Sequence, residues 1–220
     1  MTLLRRSVIM GRMGTSALWA SIDDERAALA DQLADLSDAE WTTPSWCTGL
    51  SVRDVVAHLT VSGALSGPRW FIGVIRARFD FDRQVDDRLR EQLGATPAET
   101  LARFRATVGS RTAPPLPRVA LLGEVVVHGE DVRRPLGLRR EHPAAVLEAV
   151  ARYYAGSNLM LPSRDRVRGV RLRADDGAFV TGDGPEVRGS TLDLILAMTG
   201  RRASLAGLTG PGAERLAASV

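Results

Sequence analysis

The chain contains no lysine, so all 29 of its basic residues are arginines, set against 26 aspartates and glutamates. The formal net charge is +3, and the arginines are interleaved with acidic residues rather than gathered into one basic run. Proteins that bind nucleic acid usually concentrate their positive charge on one face or segment. We therefore expect no nucleic-acid partner, despite the excess of arginine.

Cysteine and long apolar runs are also scarce. Cys47 is the only cysteine, which excludes an internal disulfide and is typical of a reducing compartment. No stretch reaches the roughly 18 apolar residues of a membrane-spanning helix, so we expect no membrane partner. The N-terminal segment carries Arg5 and Arg6, but Arg12 interrupts its apolar stretch too early for a signal peptide. We expect a cytoplasmic protein in which residues 1–14 form a disordered extension.

Apolar residues recur with a helical period over most of the first 140 residues. Helical patterns begin near Thr15, Ser51, Thr96 and Val119, where Ser51 and Thr96 are predicted N-caps. The segment Trp70 to Phe79 also begins a helical pattern. About four major helices with short connections predict a helical bundle with its site between helices.

The sequence pattern changes after His142, which lies in a linker and is expected to be exposed. The elements predicted beyond it are a helix (144–161), a β-hairpin with its turn at Asp175-Asp176-Gly177, a helix (191–199), a strand (205–208) and a terminal helix (211–218). The predicted fold is therefore α+β overall. An all-α four-helix bundle occupies residues 15–140, and a small α+β domain occupies residues 141–220.

The sequence from Val119 to Gly137 contains the candidate site. Glu124 and His128 are four residues apart, so a helix places them one turn apart on one face. Val125, Val126 and Val127 make that helix apolar almost all round, so both polar side chains are expected to be partly buried. A buried carboxylate needs a partner, and a metal ion with a second imidazole would supply one.

His58 is the candidate third ligand, because it lies on the apolar face of its own helical pattern. Two histidines and one carboxylate leave a coordination position open on zinc, as in a catalytic site. The alternative is that Glu124 and His128 form a solvent-side pair and that His58 is a core residue with satisfied hydrogen bonds. Both readings stay open at this stage.

Asp131 and Cys47 are two further polar residues near the candidate ligands. Asp131 lies three residues after His128. It is a candidate to orient the His128 ring by a hydrogen bond to the ring nitrogen that does not bind the metal. The alternative is an exposed aspartate that pairs with Arg134. Cys47 is interpreted as a packed loop residue rather than a nucleophile, since it belongs to no Cys-His pattern.

These residues carry a resemblance to the mycothiol-dependent maleylpyruvate isomerase family of the DinB-like superfamily. The matching segments in this chain are Trp41 with Pro44 and Cys47-Thr-Gly, Ser51-Val-Arg-Asp-Val-Val-Ala-His58, Gly123-Glu124-Val-Val-Val-His128-Gly129-Glu-Asp131, and Leu136-Gly137. The resemblance implies a DinB-like bundle that binds a divalent metal, typically zinc, through His58, Glu124 and His128. Residues 187–201 are similar to the small sterol-carrier-like domain that follows the bundle in many members.

The resemblance implies mycothiol as a thiol cofactor and a small electrophilic molecule as substrate. A thiolate that adds to the substrate leads either to cis–trans isomerisation or to thiol transfer. Two other functions remain open from the residues: a zinc-dependent hydrolase that uses metal-bound water, with Asp131 as its base, or a non-enzymatic module that binds an apolar ligand. A monomer or a homodimer is expected.

Overall fold

The structure is a computed structural model that describes residues 13–64 and 89–220. The predicted helix over Trp70 to Phe79 and almost all of the expected N-terminal extension lie outside the described residues. No helix in the described parts of the chain is long and apolar enough to cross a membrane.

The first part of the chain is helical, as predicted. Its helices are α1 (Thr15–Gln32), α2 (Asp38–Trp41), α3 (Val52–Ala64), α4 (Pro97–Arg105) and α5 (Arg118–Arg133). Both predicted N-caps are confirmed. The Ser51 hydroxyl accepts a hydrogen bond from the Asp54 N–H at 3.2 Å, and the Thr96 hydroxyl accepts one from the Glu99 N–H at 3.2 Å. Because the first N–H groups of a helix have no partner within it, these side chains fix where α3 and α4 begin.

The second part combines helices with a small sheet, so the predicted α+β fold class is confirmed. Its elements are α6 (Ala144–Gly156), α7 (Ser163–Arg166), β1 (Arg171–Ala174), β2 (Val180–Thr181), β3 (Glu186–Gly189), α8 (Thr191–Met198), a 3-10 helix (Arg202–Gly207) and α9 (Ala213–Ala217). The strand order is β2-β1-β3. The predicted hairpin is the antiparallel β1–β2 pair, whereas β3 lies parallel to β1.

Three sequence-based expectations for this part are wrong. The helix predicted over residues 144–161 ends at Gly156, and the strand predicted over 205–208 is largely a 3-10 helix. Just after that segment, Thr209 forms an isolated bridge with Arg188 of β3. A short apolar run does not by itself distinguish a strand from a helical segment.

The third wrong expectation concerns His142, whose side chain is only 1% exposed. Its Nδ1 lies 3.0 Å from Glu25 Oε1, and its Nε2 lies 3.4 Å from Glu130 Oε1. The linker therefore folds back against α1 and α5. A buried imidazole between two carboxylates ties the linker to the helical part.

One hydrophobic core cluster spans both parts of the chain. It contains Ile22 of α1 and Leu122 and Val126 of α5, together with buried residues of α6, β1, β3 and α8. A second cluster lies among α1, α3, α4 and α5 and includes Val55 and Phe104. The division into domains at residues 140 and 141 stays a prediction, and the two parts share packed apolar surface.

Candidate metal centre

The structure brings His58, Glu124 and His128 together between α3 and α5. His58 Nε2 lies 3.4 Å from Glu124 Oε1. The rings of His58 and His128 meet edge to face, with their centroids 4.8 Å apart. The exposed fraction of the side chain is 23% for His58, 20% for Glu124 and 18% for His128. The three groups therefore lie at a partly open position rather than in the sealed core.

Asp131 contacts the His128 ring at its Nδ1 atom. The His128 Nδ1 to Asp131 Oδ2 distance is 2.9 Å, and the Asp131 side chain is fully buried. Because a carboxylate can only accept, Nδ1 carries the proton and the Nε2 lone pair is left free. This is how histidine ligands are commonly oriented toward a metal. The alternative partner, Arg134, instead contacts Glu130 at 2.9 Å and Asp193 at 3.1 Å.

Arg201 is a site residue that the sequence reasoning missed. Its Nε donates to Asp131 Oδ1 at 3.0 Å and its Nη2 to Asp131 Oδ2 at 2.6 Å, in a two-bond pair. Arg201 follows α8, so the second part of the chain contributes to the site. No spacing rule connects residues so far apart in sequence. The segment Thr199-Gly200-Arg201 was informative only as part of a family resemblance.

The electrostatic environment favours a neutral imidazole and an ionised carboxylate. Burial lowers the pKa of His128, and this outweighs the hydrogen bond to Asp131, which raises it. Burial raises the pKa of Glu124, whereas its interactions with His58 and His128 lower it, and the net shift is downward. A metal ion requires these two protonation states of its ligands.

Asp131 is ionised for a similar reason. Burial raises its pKa, whereas the hydrogen bonds from His128 and Arg201 lower it, and the net shift is downward. The Asp131 carboxylate thus stabilises both Arg201 and the tautomer of His128. Its role at the centre stays a prediction.

A second group of potential ligands shares His128. Among the residues that the structure describes, Cys47, His128 and Asp131 have ligand atoms that all lie within 4.8 Å of one another. Arg201 already pairs with both Asp131 oxygens. Its positive charge would repel a metal ion bound at the same carboxylate. Burial and the charge of Asp131 also raise the pKa of Cys47, which favours the thiol over the metal-binding thiolate. The group around Glu124 is therefore the better candidate.

Arg26 of α1 is another residue that the sequence reasoning missed. It is fully buried, and its Nη1 donates to the Thr107 carbonyl at 3.0 Å. Its Nε and Nη2 have no partner within residues 13–64 and 89–220. Burial lowers its pKa and the charge of Glu124 raises it. A buried positive charge thus lies within electrostatic range of Glu124.

The donor types suit a divalent ion, but the ligand atoms of His58, Glu124 and His128 do not all lie within 4.8 Å of one another. Two atoms bonded to one tetrahedral zinc at about 2.0–2.1 Å are roughly 3.3 Å apart. The separation of 3.4 Å between His58 Nε2 and Glu124 Oε1 is close to that value and long for a strong hydrogen bond. His58, Glu124 and His128 supply two nitrogens and a carboxylate oxygen. Their role as metal ligands remains a prediction.

Comparison with known proteins agrees with the resemblance seen in the sequence. The family model described as the mycothiol maleylpyruvate isomerase N-terminal domain matches residues 22–115. Two solved structures of mycothiol-dependent maleylpyruvate isomerase, one of them a mutant, have TM-scores of 0.60 and 0.59 to this chain. The identities are 14% and 15%, over 91% of this chain and 94% of theirs. Among curated proteins, none matches. At these identities the solved structures establish the fold.

Proposed function

We infer that this chain is a thiol-dependent isomerase with a divalent metal centre, from the match of residues 22–115 to the model of the mycothiol maleylpyruvate isomerase N-terminal domain. The observation that carries the proposal is the meeting of His58 from α3 with Glu124 and His128 from α5. The substrate class that we propose is a small electrophile, with maleylpyruvate as the first compound to test. Mycothiol is the proposed cofactor.

His58, Glu124 and His128 would hold the ion, and zinc is the metal that this donor set favours. The ion would favour the thiolate form of a small thiol at its open position. Asp131 holds the proton on Nδ1 of His128, which keeps Nε2 available. Arg201 neutralises Asp131, so the buried carboxylate does not draw the proton to itself.

The metal content of purified variants tests the ligand assignment. We expect about one equivalent of zinc in the native protein, and loss of most of it in His58→Ala and in His128→Ala, because a site with two ligands is weak. The matched control is His142→Gln, which removes the third histidine of the chain. It lies in another contact network, against Glu25 and Glu130, and we expect it to keep the ion.

Three outcomes would redirect the proposal. Full metal content in both alanine variants would overturn the ligand assignment. A native protein that binds no divalent ion would favour the non-enzymatic binding module. Zinc-dependent turnover of an ester or amide without any thiol would favour the hydrolase.

A further inference from the structure

Tyr154 of α6 places its hydroxyl beside the candidate metal centre. The residue is only 5% exposed. Its hydroxyl makes no hydrogen bond to any residue in the described parts of the chain. The fully enclosed hydroxyl without a partner is that of the neighbouring Tyr153, so the Tyr154 oxygen keeps some accessible surface. An accessible hydroxyl without a protein partner is free to donate a hydrogen bond to a bound molecule.

The Tyr154 hydroxyl lies against α5 at Gly123, next to the proposed metal ligand Glu124. A Cβ atom on Gly123 would lie only 2.9 Å from the Tyr154 hydroxyl oxygen and 2.9 Å from Cε2 of its ring. Gly123 directly precedes Glu124 in the chain. The absence of a side chain at Gly123 therefore allows the phenol to approach the α5 backbone next to a proposed ligand.

The charged groups around the phenol are those of the same centre. Burial raises the pKa of Tyr154, and the charge of Glu124 raises it further, while Arg201 lowers it and Asp131 raises it. The net shift is upward. The hydroxyl consequently keeps its proton throughout the neutral range and is available as a hydrogen-bond donor.

We propose that the Tyr154 hydroxyl donates a hydrogen bond to the carbonyl oxygen of an α,β-unsaturated carbonyl substrate bound at this centre. The inference rests on the proposed function and identifies a further catalytic residue for it. A donor fixed by packing is suited to this task, because it needs no reorientation when negative charge develops on the oxygen.

The proposed step is balanced without any further reactant. When a thiolate adds to the β-carbon, a sulfur–carbon bond forms, the electron pair of the carbon–carbon double bond moves between the α-carbon and the carbonyl carbon, and the carbonyl pair moves onto oxygen to give an enolate. Rotation about the resulting single bond and the reverse elimination break the sulfur–carbon bond and restore the double bond. Tyr154 keeps its own proton at every stage.

Two readouts separate this role from a structural one. In Tyr154→Phe the ring and its packing remain, and only an unpartnered hydroxyl is lost. We therefore expect the free energy of unfolding in urea to be nearly unchanged. With maleylpyruvate and mycothiol, kcat should fall by about 10²-fold while KM changes little, because the hydrogen bond strengthens as charge develops.

Tyr153→Phe is the matched control, since Tyr153 is the adjacent aromatic residue, with its ring centroid 5.2 Å from that of Tyr154. We expect its kcat to stay within about twofold of the native value, as for substitutions that touch no reacting group. Equal kcat values for the native protein and Tyr154→Phe would overturn the inference. So would a loss of kcat that is matched by a comparable loss of folding stability.

A binding measurement distinguishes failure of this inference from failure of the proposed function. Acetylpyruvate, a 2,4-dioxo acid without the reactive double bond, serves as the probe, and the infrared band of its carbonyl group is recorded on the protein. A lower frequency in the native protein than in Tyr154→Phe would support the hydrogen bond, even if the native protein does not isomerise maleylpyruvate. Identical frequencies, or no binding of the probe, would overturn the inference.

Discussion

At the residue scale, His142 is the polar group whose environment departs most from the sequence-based expectation. Burial lowers its pKa, but the hydrogen bonds to Glu130 and Glu25 raise it, and the net shift is upward. Arg140 also contacts Glu25 at 2.7 Å, and Arg133 contacts Glu130 at 3.5 Å. A protonated His142 thus completes a buried ionic cluster that joins α1, α5 and the linker.

The raised pKa predicts how stability depends on pH. Because His142 binds its proton more tightly in the folded state, its contribution is fully present below the unfolded pKa of histidine. It is lost as pH rises through the folded value. The free energy of unfolding in urea should therefore decline over the range from about pH 6.5 upward. In His142→Gln this decline should be much smaller. An equal decline in both proteins would show that another group is responsible.

At the scale of the secondary-structure element, the contact of α5 with α6 depends on Gly123. A Cβ atom there would lie within 2.9 Å of the Tyr154 ring, so Gly123→Ala must push α6 away from α5. We expect a loss of about 1–3 kcal/mol in unfolding free energy, which is typical of overpacking. The control is Gly156→Ala, at the end of α6, where a Cβ atom would meet nothing within 4 Å. Equal stability of the two variants would contradict this account of the interface.

The helices also show which features could be predicted from the sequence. The positions of Glu124 and His128 on one face of α5 follow from helical periodicity, and the starts of α3 and α4 follow from Ser51 and Thr96. Contacts that depend on the path of the chain in space left no local signal. These are the return of His142 against α1 and α5 and the pairing of Arg201 with Asp131.

The sequence predicts a strand where the structure has the 3-10 helix after Arg201, for a related reason. Its last residues approach β3 because Gly189 has no side chain, and a Cβ atom there would lie 2.5 Å from Leu208 Cδ2 and 2.8 Å from the Gly207 carbonyl oxygen. The conformation is therefore set by packing against the sheet rather than by the apolar residues of the segment itself.

At the scale of the whole molecule, the hydrophobic core that contains Ile22, Leu122 and Leu194 crosses the proposed domain boundary. The pairs Arg134–Asp193 and Arg201–Asp131 also join the two parts. We therefore predict that residues 15–140 and 141–220 unfold in one cooperative transition. Calorimetric and van't Hoff enthalpies should agree. Two separate transitions would contradict this prediction and would show that the boundary divides independently stable units.

The central claim is that His58, Glu124 and His128 form a metal centre that accepts a small thiol. The most direct test replaces zinc with cobalt and records the near-ultraviolet spectrum during titration with mycothiol. Cobalt takes the same nitrogen and oxygen ligands and reports a bound thiolate by its absorption. We predict that a sulfur-to-cobalt charge-transfer band appears and saturates in the native protein and is absent in His58→Ala. No spectral change in the native protein with mycothiol or with any other low-molecular-weight thiol would contradict the account.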